Sequence, residues 1–132
     1  MLALKLGLSL VSTPRLGGWS PYDETSLEAW YQNAVGIDLN GSDVSEWEDS
    51  STNGYNMAAS GTEQPAYSAG VLTFVSADSN NLQTTGQISL TGDFTIGLIF
   101  TPAISAPGTI LGDNAGGSAG HEFIKYSSTT NL

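Results

Sequence analysis

The sequence predicts an all-β fold, and three observations carry that prediction. First, Phe94, Ile96, Leu98 and Phe100 alternate with Thr95, Gly97, Ile99 and Thr101, the two-residue period of a strand with one face on a core. Second, glycine and hydroxyl residues are abundant while charged residues make up only 12% of the 132-residue chain, a composition of short strands and turns. Third, no long stretch repeats its apolar residues at helical spacing. Gly92-Asp93 opens the run and Pro102 closes it, so turn chemistry marks both ends. Ile99 makes the second face partly apolar, as in an inner strand covered on both sides.

The length fits one domain with one core. With no cysteine, neither a disulfide framework nor a thiolate metal site is available. Three basic residues face thirteen acidic ones, for a net charge of −10; Lys5 and Arg15 lie near the amino end, and the next base is Lys125. Such a surface repels phosphate backbones and anionic lipid, so nucleic acid and membrane are excluded as expected partners. No apolar run reaches the ~20 residues that span a bilayer.

Leucine occupies positions 2, 4, 6, 8 and 10, alternating with small or polar residues. A signal peptide is the alternative, but Lys5 sits inside the run, Gly7 and Ser9 interrupt it, and no Ala-x-Ala follows. The stripe predicts an extended arm over residues 1–20, linker included, whose face of Leu2, Leu4, Leu6, Leu8 and Leu10 binds a partner or its own domain.

Residues 23–32 read two ways. Thr25-x-x-Glu28 fits a helix capping box with Leu27, Trp30 and Tyr31 at helical spacing, yet Leu27, Ala29 and Tyr31 also alternate. Residues 37–43 are turn-rich, and a short strand follows over 44–49 with Val44, Glu46 and Glu48 on one face and Trp47 and Asp49 on the other. Asn53-Gly54 is a loop tip, and residues 55–59 and 62–67 are extended, with Gln64 kept out of the helical region by Pro65. Further strands are expected over 71–75, 82–84, 109–113 and 122–126, with a glycine-rich loop over 114–120. Trp47, Leu72 and Phe74 are expected to be buried together with Phe94, Ile96, Leu98 and Phe100.

Several of these pieces, in this order, resemble the concanavalin A-like (laminin-G-like) domains of virion structural proteins of tailed bacteriophages. The pieces are Ser20-Pro21 leading to Leu27-Glu28-Ala29-Trp30-Tyr31, then Val44-Ser45-Glu46-Trp47-Glu48-Asp49-Ser50-Ser51-Thr52-Asn53-Gly54, then Gln64-Pro65-Ala66-Tyr67, the strand over 71–75 with Leu82, and Phe94-Thr95-Ile96. Thr52 stands where the family usually has glycine, and Val75-Ser76-Ala77 replaces its usual Asp-Gly corner. The resemblance implies a strand over residues 27–31. It implies an antiparallel β-sandwich, a concanavalin A-like jelly roll over residues 21–132, incomplete at its carboxyl end unless the chain continues or neighbours supply strands.

It also implies a non-enzymatic structural protein on the virion surface, fixed by the arm to head, neck or tail as a decoration, cement or fibre-like subunit. Its partners would be other virion proteins and copies of itself. The alternative is a carbohydrate-binding module for the host surface, in which Trp19, Trp30, Trp47, Tyr55 and Tyr67 supply sugar-stacking faces and Tyr55 is the exposed candidate. No catalytic residues are expected. Glu46 and Glu48 lack the Glu-x-Asp-x-x-Glu spacing of glycosidases on this fold, and His121, the only histidine, has no nucleophile motif beside it. No cofactor is expected. Calcium at a loop rim is the nearest alternative, with Asp38, Asn40, Asp43, Asp78, Asn80 and Asn81 as oxygen donors, although no glutamate closes the Asp38-x-Asn40-Gly41-x-Asp43 loop.

Overall fold

A computed structural model of the protein describes residues 18–101, 108–113 and 122–126. The fold is all-β: the sheets are antiparallel, and the helical elements among the described residues are three-residue 3₁₀ turns. The chain divides into two units, Met1–Leu90 and Thr91–Leu132.

The first unit holds six strands, β1 (Ile37–Asn40), β2 (Asp43–Trp47), β3 (Met57–Ala58), β4 (Ala66–Ser68), β5 (Val71–Thr73) and β6 (Gln83–Thr84). β2 is the hub. β1 pairs along its length, from Asn40 opposite Asp43 to Ile37 opposite Trp47. β4 meets it at Asp43, opposite Ala66, and β3 meets it at Glu46 and Trp47, opposite Ala58 and Met57. β5 extends the sheet beyond β4, and β6 extends it beyond β3.

Two tight turns fix the register. Gly41, at φ +70°, opens the two-residue loop between β1 and β2. Ala69 and Gly70 both take positive φ, 51° and 81°, between β4 and β5, as a mirror-image hairpin turn demands. The turn-rich reading of residues 37–43 therefore captures the loop but misses β1, whose polar Asp38 and Asn40 flank it.

Val44 is 0% exposed, and Pro65 beside it is also fully buried. Val44 N–H donates to Pro65 O at 2.8 Å, and Tyr67 N–H donates to Ser42 O at 2.9 Å. The Gln-Pro-x-Tyr element thus closes over the start of β2. Gln64 is buried with its amide satisfied at both ends: Oε1 accepts from Asn40 Nδ2, and Nε2 donates to Ala59 O.

The expected strand over residues 27–31 is corrected. This segment follows an antiparallel course beside residues 47–53, but no backbone ladder joins them. Ser50 N–H donates to Trp30 O, and the other links pass through the side chains of Trp47, Asp49, Ser51 and Asn53. The capping box also lies elsewhere. Ser20 Oγ accepts from Tyr22 N–H and Asp23 carboxylate accepts from Ser20 N–H, around the turn Pro21–Asp23.

The second unit pairs β7 (Gly108–Gly112) with β8 (Glu122–Tyr126). Residues 91–101 belong to no strand, which corrects the sequence expectation at its anchor point. Phe94 is 55% exposed and Phe100 48%, and Ile96, Leu98 and Phe74 are exposed as well; Trp47 and Leu72 are half-buried. The physical reason is that alternation decides which side chains share a face, whereas burial needs a second layer.

Burial therefore predicts which side chains carry stability. Val44→Ala should cost about 2 kcal/mol in urea denaturation, whereas Phe100→Ala, read on monomeric protein, should stay within about 0.5–1 kcal/mol of the parent. Equal losses would contradict the burial pattern.

Candidate functional site

Among the described residues, a dense polar network surrounds the carboxylate of Asp49, two residues past β2. Asp49 is buried, and four donors reach it. Oδ1 accepts from Trp30 N–H at 2.8 Å and from Ser51 N–H at 2.9 Å. Oδ2 accepts from the Ser51 hydroxyl at 2.5 Å and from Tyr55 N–H at 3.0 Å. The Asp49-x-Ser51 pair is an aspartate turn, in which the side chain replaces a backbone acceptor two residues on.

Burial pushes the Asp49 carboxyl up, but the Ser51 hydroxyl and the N–H groups of Trp30, Ser51 and Tyr55 outweigh it. The net effect holds the carboxyl below the usual aspartate range. Charge-assisted bonds of this kind are the strong ones.

Neighbouring side chains extend the network in both directions. Asp49 N–H donates to Asn56 Oδ1, and Asn56 Nδ2 donates to Glu46 Oε1 at 2.8 Å. The Tyr31 hydroxyl donates to Tyr55 O. Burial, with the Asp49 charge adding to it, pushes the Tyr31 phenol up to about 12, so it remains a donor at neutral pH. Trp47 Nε1 donates to Gln32 O at 3.0 Å, and its ring lies tilted against that of Tyr31 at 5.7 Å. Gly36, at φ +62°, lets Glu48 N–H reach Gly36 O at 2.7 Å; a Cβ there would meet Glu48 Cβ at 2.6 Å.

Beside this network is an open hollow of about 100 Å³ lined by Tyr22, Glu24, Thr25, Leu27 and residues 50–52. The exposed Tyr22 ring meets Trp30 edge-on at 4.5 Å. The Ser26 hydroxyl and then its N–H hold the Glu24 carboxyl below the usual glutamate range. An aromatic edge, hydroxyls and a fixed carboxylate are the chemistry that meets a polyol.

The sequence-derived site residues distribute unevenly. Tyr55 is half-buried, its backbone is bonded at both ends, and its ring lies over Gly86, where a Cβ would stand 3.4 Å away. Trp19, 72% exposed, and Tyr22 present more open aromatic surface than Tyr55 does. Tyr22 was missed because it sits in a turn outside any aromatic alternation. Glu46 is engaged by Asn56, while the exposed Glu48 lies against Gly36.

Of the oxygen donors weighed for the calcium alternative, Asp43, Asp78 and Asn80 border one open hollow of about 280 Å³ with Gln64 and Thr62. Asn80 Oδ1 already accepts from Val75 N–H while its Nδ2 donates to Thr62 O and Gln64 O, and Asn81 Oδ1 accepts from Gln83 Nε2. Among the described residues, no three histidine, cysteine or acidic side chains converge as metal ligands. Leu2, Leu4, Leu6, Leu8, Leu10 and His121 lie outside the described residues.

Comparison of the chain with protein-family models, with curated proteins and with solved structures finds no match.

Asp49→Asn tests the network. The amide keeps one acceptor but turns a donor toward Tyr55 N–H, so the substitution should cost about 2 kcal/mol at pH 7. Because the native pKa is depressed, the stabilisation is complete above the unfolded value of about 3.9 and is lost as pH falls through the native one. Urea titrations of both proteins should therefore show the gap narrowing below about pH 4; a constant gap would contradict the assignment.

Proposed function

We propose that this chain is a non-enzymatic structural subunit of a tailed-bacteriophage particle, a concanavalin A-like β-sandwich held on the virion surface by its leucine-striped arm. The observation that carries the reading is the ordered succession of motifs from residues 20–31 through Phe94-Thr95-Ile96. The part these motifs play in the fold supports it. Val44 seals the first sheet, Trp47 ties residue 32 to β2, and Asp49 ties residues 30, 51 and 55 together. Pro65 and Tyr67 close over β2 from β4.

These residues hold loops in place. Two separate antiparallel sheets, one of six strands and one of two, are the material from which a sandwich would be assembled. Partners on this reading are other virion proteins and further copies of the chain.

A second reading, a module that binds surface glycan, is favoured by one feature: the exposed Tyr22 in the wall of the hydroxyl-lined hollow. Aromatic faces of this kind stack on sugar rings.

Deleting residues 1–10 from the chain expressed with its particle separates the two. The structural reading predicts a folded protein that no longer incorporates. Normal incorporation overturns it, and glycan-array binding that survives the deletion but is lost on Tyr22→Ala would assign the module instead.

A further inference from the structure

Residues 93–101 carry the largest run of exposed apolar side chains among the described residues. Phe94, Ile96, Leu98 and Phe100 are exposed on one face, and Ile99, on the other, is 100% exposed. The segment joins no ladder, and no atom lies within 4 Å of where a Cβ on Gly97 would stand. An apolar, unladdered segment with open backbone is a template for an added strand. These exposed side chains are the face that an added strand would cover.

We infer that residues 93–101 accept the leucine-striped arm, residues 2–10, of a second copy of this chain as an added strand. Three features of the chain select this occupant. The arm has the same two-residue period, with leucine at 2, 4, 6, 8 and 10 against Phe94, Ile96, Leu98 and Phe100. At about 3.3 Å per residue the leucine stripe spans about 26 Å, enough to run the full ~20 Å from residue 94 to residue 100.

Charge selects it as well. All thirteen acidic residues lie at Asp23 or later, while Lys5 and Arg15 lie before it. Residues 1–22 thus carry +2 and residues 23–132 carry −12, which together give the chain's −10. Two copies of residues 93–101 paired with each other would bring two acidic bodies together. The arm of a second copy brings the only cationic stretch against an anionic body. Strand addition then satisfies the open backbone groups and sets leucines beside Phe94, Ile96, Leu98 and Phe100 at cross-strand distance.

This deepens the reading of the arm as an attachment device, and its test uses purified protein alone, so its failure is distinct from failure to enter a particle. The chain has no cysteine, so single thiols report cleanly. Full-length Leu6→Cys protein is mixed with full-length Phe94→Cys, Ile96→Cys, Leu98→Cys or Phe100→Cys protein, oxidised, and the intermolecular products are weighed by mass spectrometry. The expected result is a mixed disulfide to at least one of the four. Its yield should fall roughly tenfold or more for each further arm leucine changed to aspartate, Leu4 or Leu8.

Disulfides only between two copies substituted within residues 94–100 would overturn the inference in favour of self-pairing. Formation only within one chain carrying both Leu6→Cys and Ile96→Cys would overturn it in favour of an internal strand. Sedimentation equilibrium of the unsubstituted protein needs no variant: concentration-dependent association is expected, and a monomer throughout overturns the inference.

Discussion

The carboxylate of Asp49 is the constraint on which the first unit depends. It stands where β2 ends and gathers the N–H groups of Trp30, Ser51 and Tyr55 and the hydroxyl of Ser51. One ionised group thereby fixes the loop over residues 50–54, the start of the course toward β3, and the segment over residues 27–32. That segment needs such an anchor because it lacks a ladder of its own. Its carbonyls at residues 27, 28, 30 and 32 are met by Asn53, Ser51, Ser50 N–H and the Trp47 indole. A buried charge without partners would be expensive; with four donors it becomes the organiser of three chain segments.

β2 spreads that constraint across the sheet. Its first half is locked by Val44 under Pro65, and its second half carries Trp47 and leads into Asp49. Polar side chains do much of the work usually given to a large apolar core. Gln64, Asn56, Asn80 and Asn53 each tie separate segments with their amides. Such a chain keeps its shape through many local bonds and has apolar side chains to spare at its surface.

Much of the first unit was legible in the sequence because its signals are local. The turn residues at 53–54, the alternating pattern from Val44 to Asp49 and the short apolar run at 71–73 place strands without reference to anything distant. The spacing Val44, Trp47, Asp49, Asn53, Gly54 marked an element whose logic becomes visible only in three dimensions. An Asp-x-Ser sequence announces an aspartate turn, but nothing in it announces that Trp30, nineteen residues earlier, supplies another donor. Residues 27–31 were extended-looking for good reason, and their bonds were illegible because side chains replaced the ladder. Tyr55 looked exposed beside a loop glycine, yet Gly86, far along the chain, leaves room for its ring. The alternation over 94–100 fixed which side chains share a face and could not say whether a second layer covers them.

The central claim is that an ionised Asp49 holds three segments together, and its titration observed by NMR tests this most directly. The side-chain carbonyl carbon of Asp49 and the amide resonances of Trp30, Ser51 and Tyr55 can be followed together as pH is lowered in the folded protein. The account predicts a midpoint for Asp49 below the usual aspartate range, with the three amides shifting at that same midpoint. An ordinary aspartate midpoint, with the amides of Trp30 and Tyr55 unmoved through it, would contradict the account.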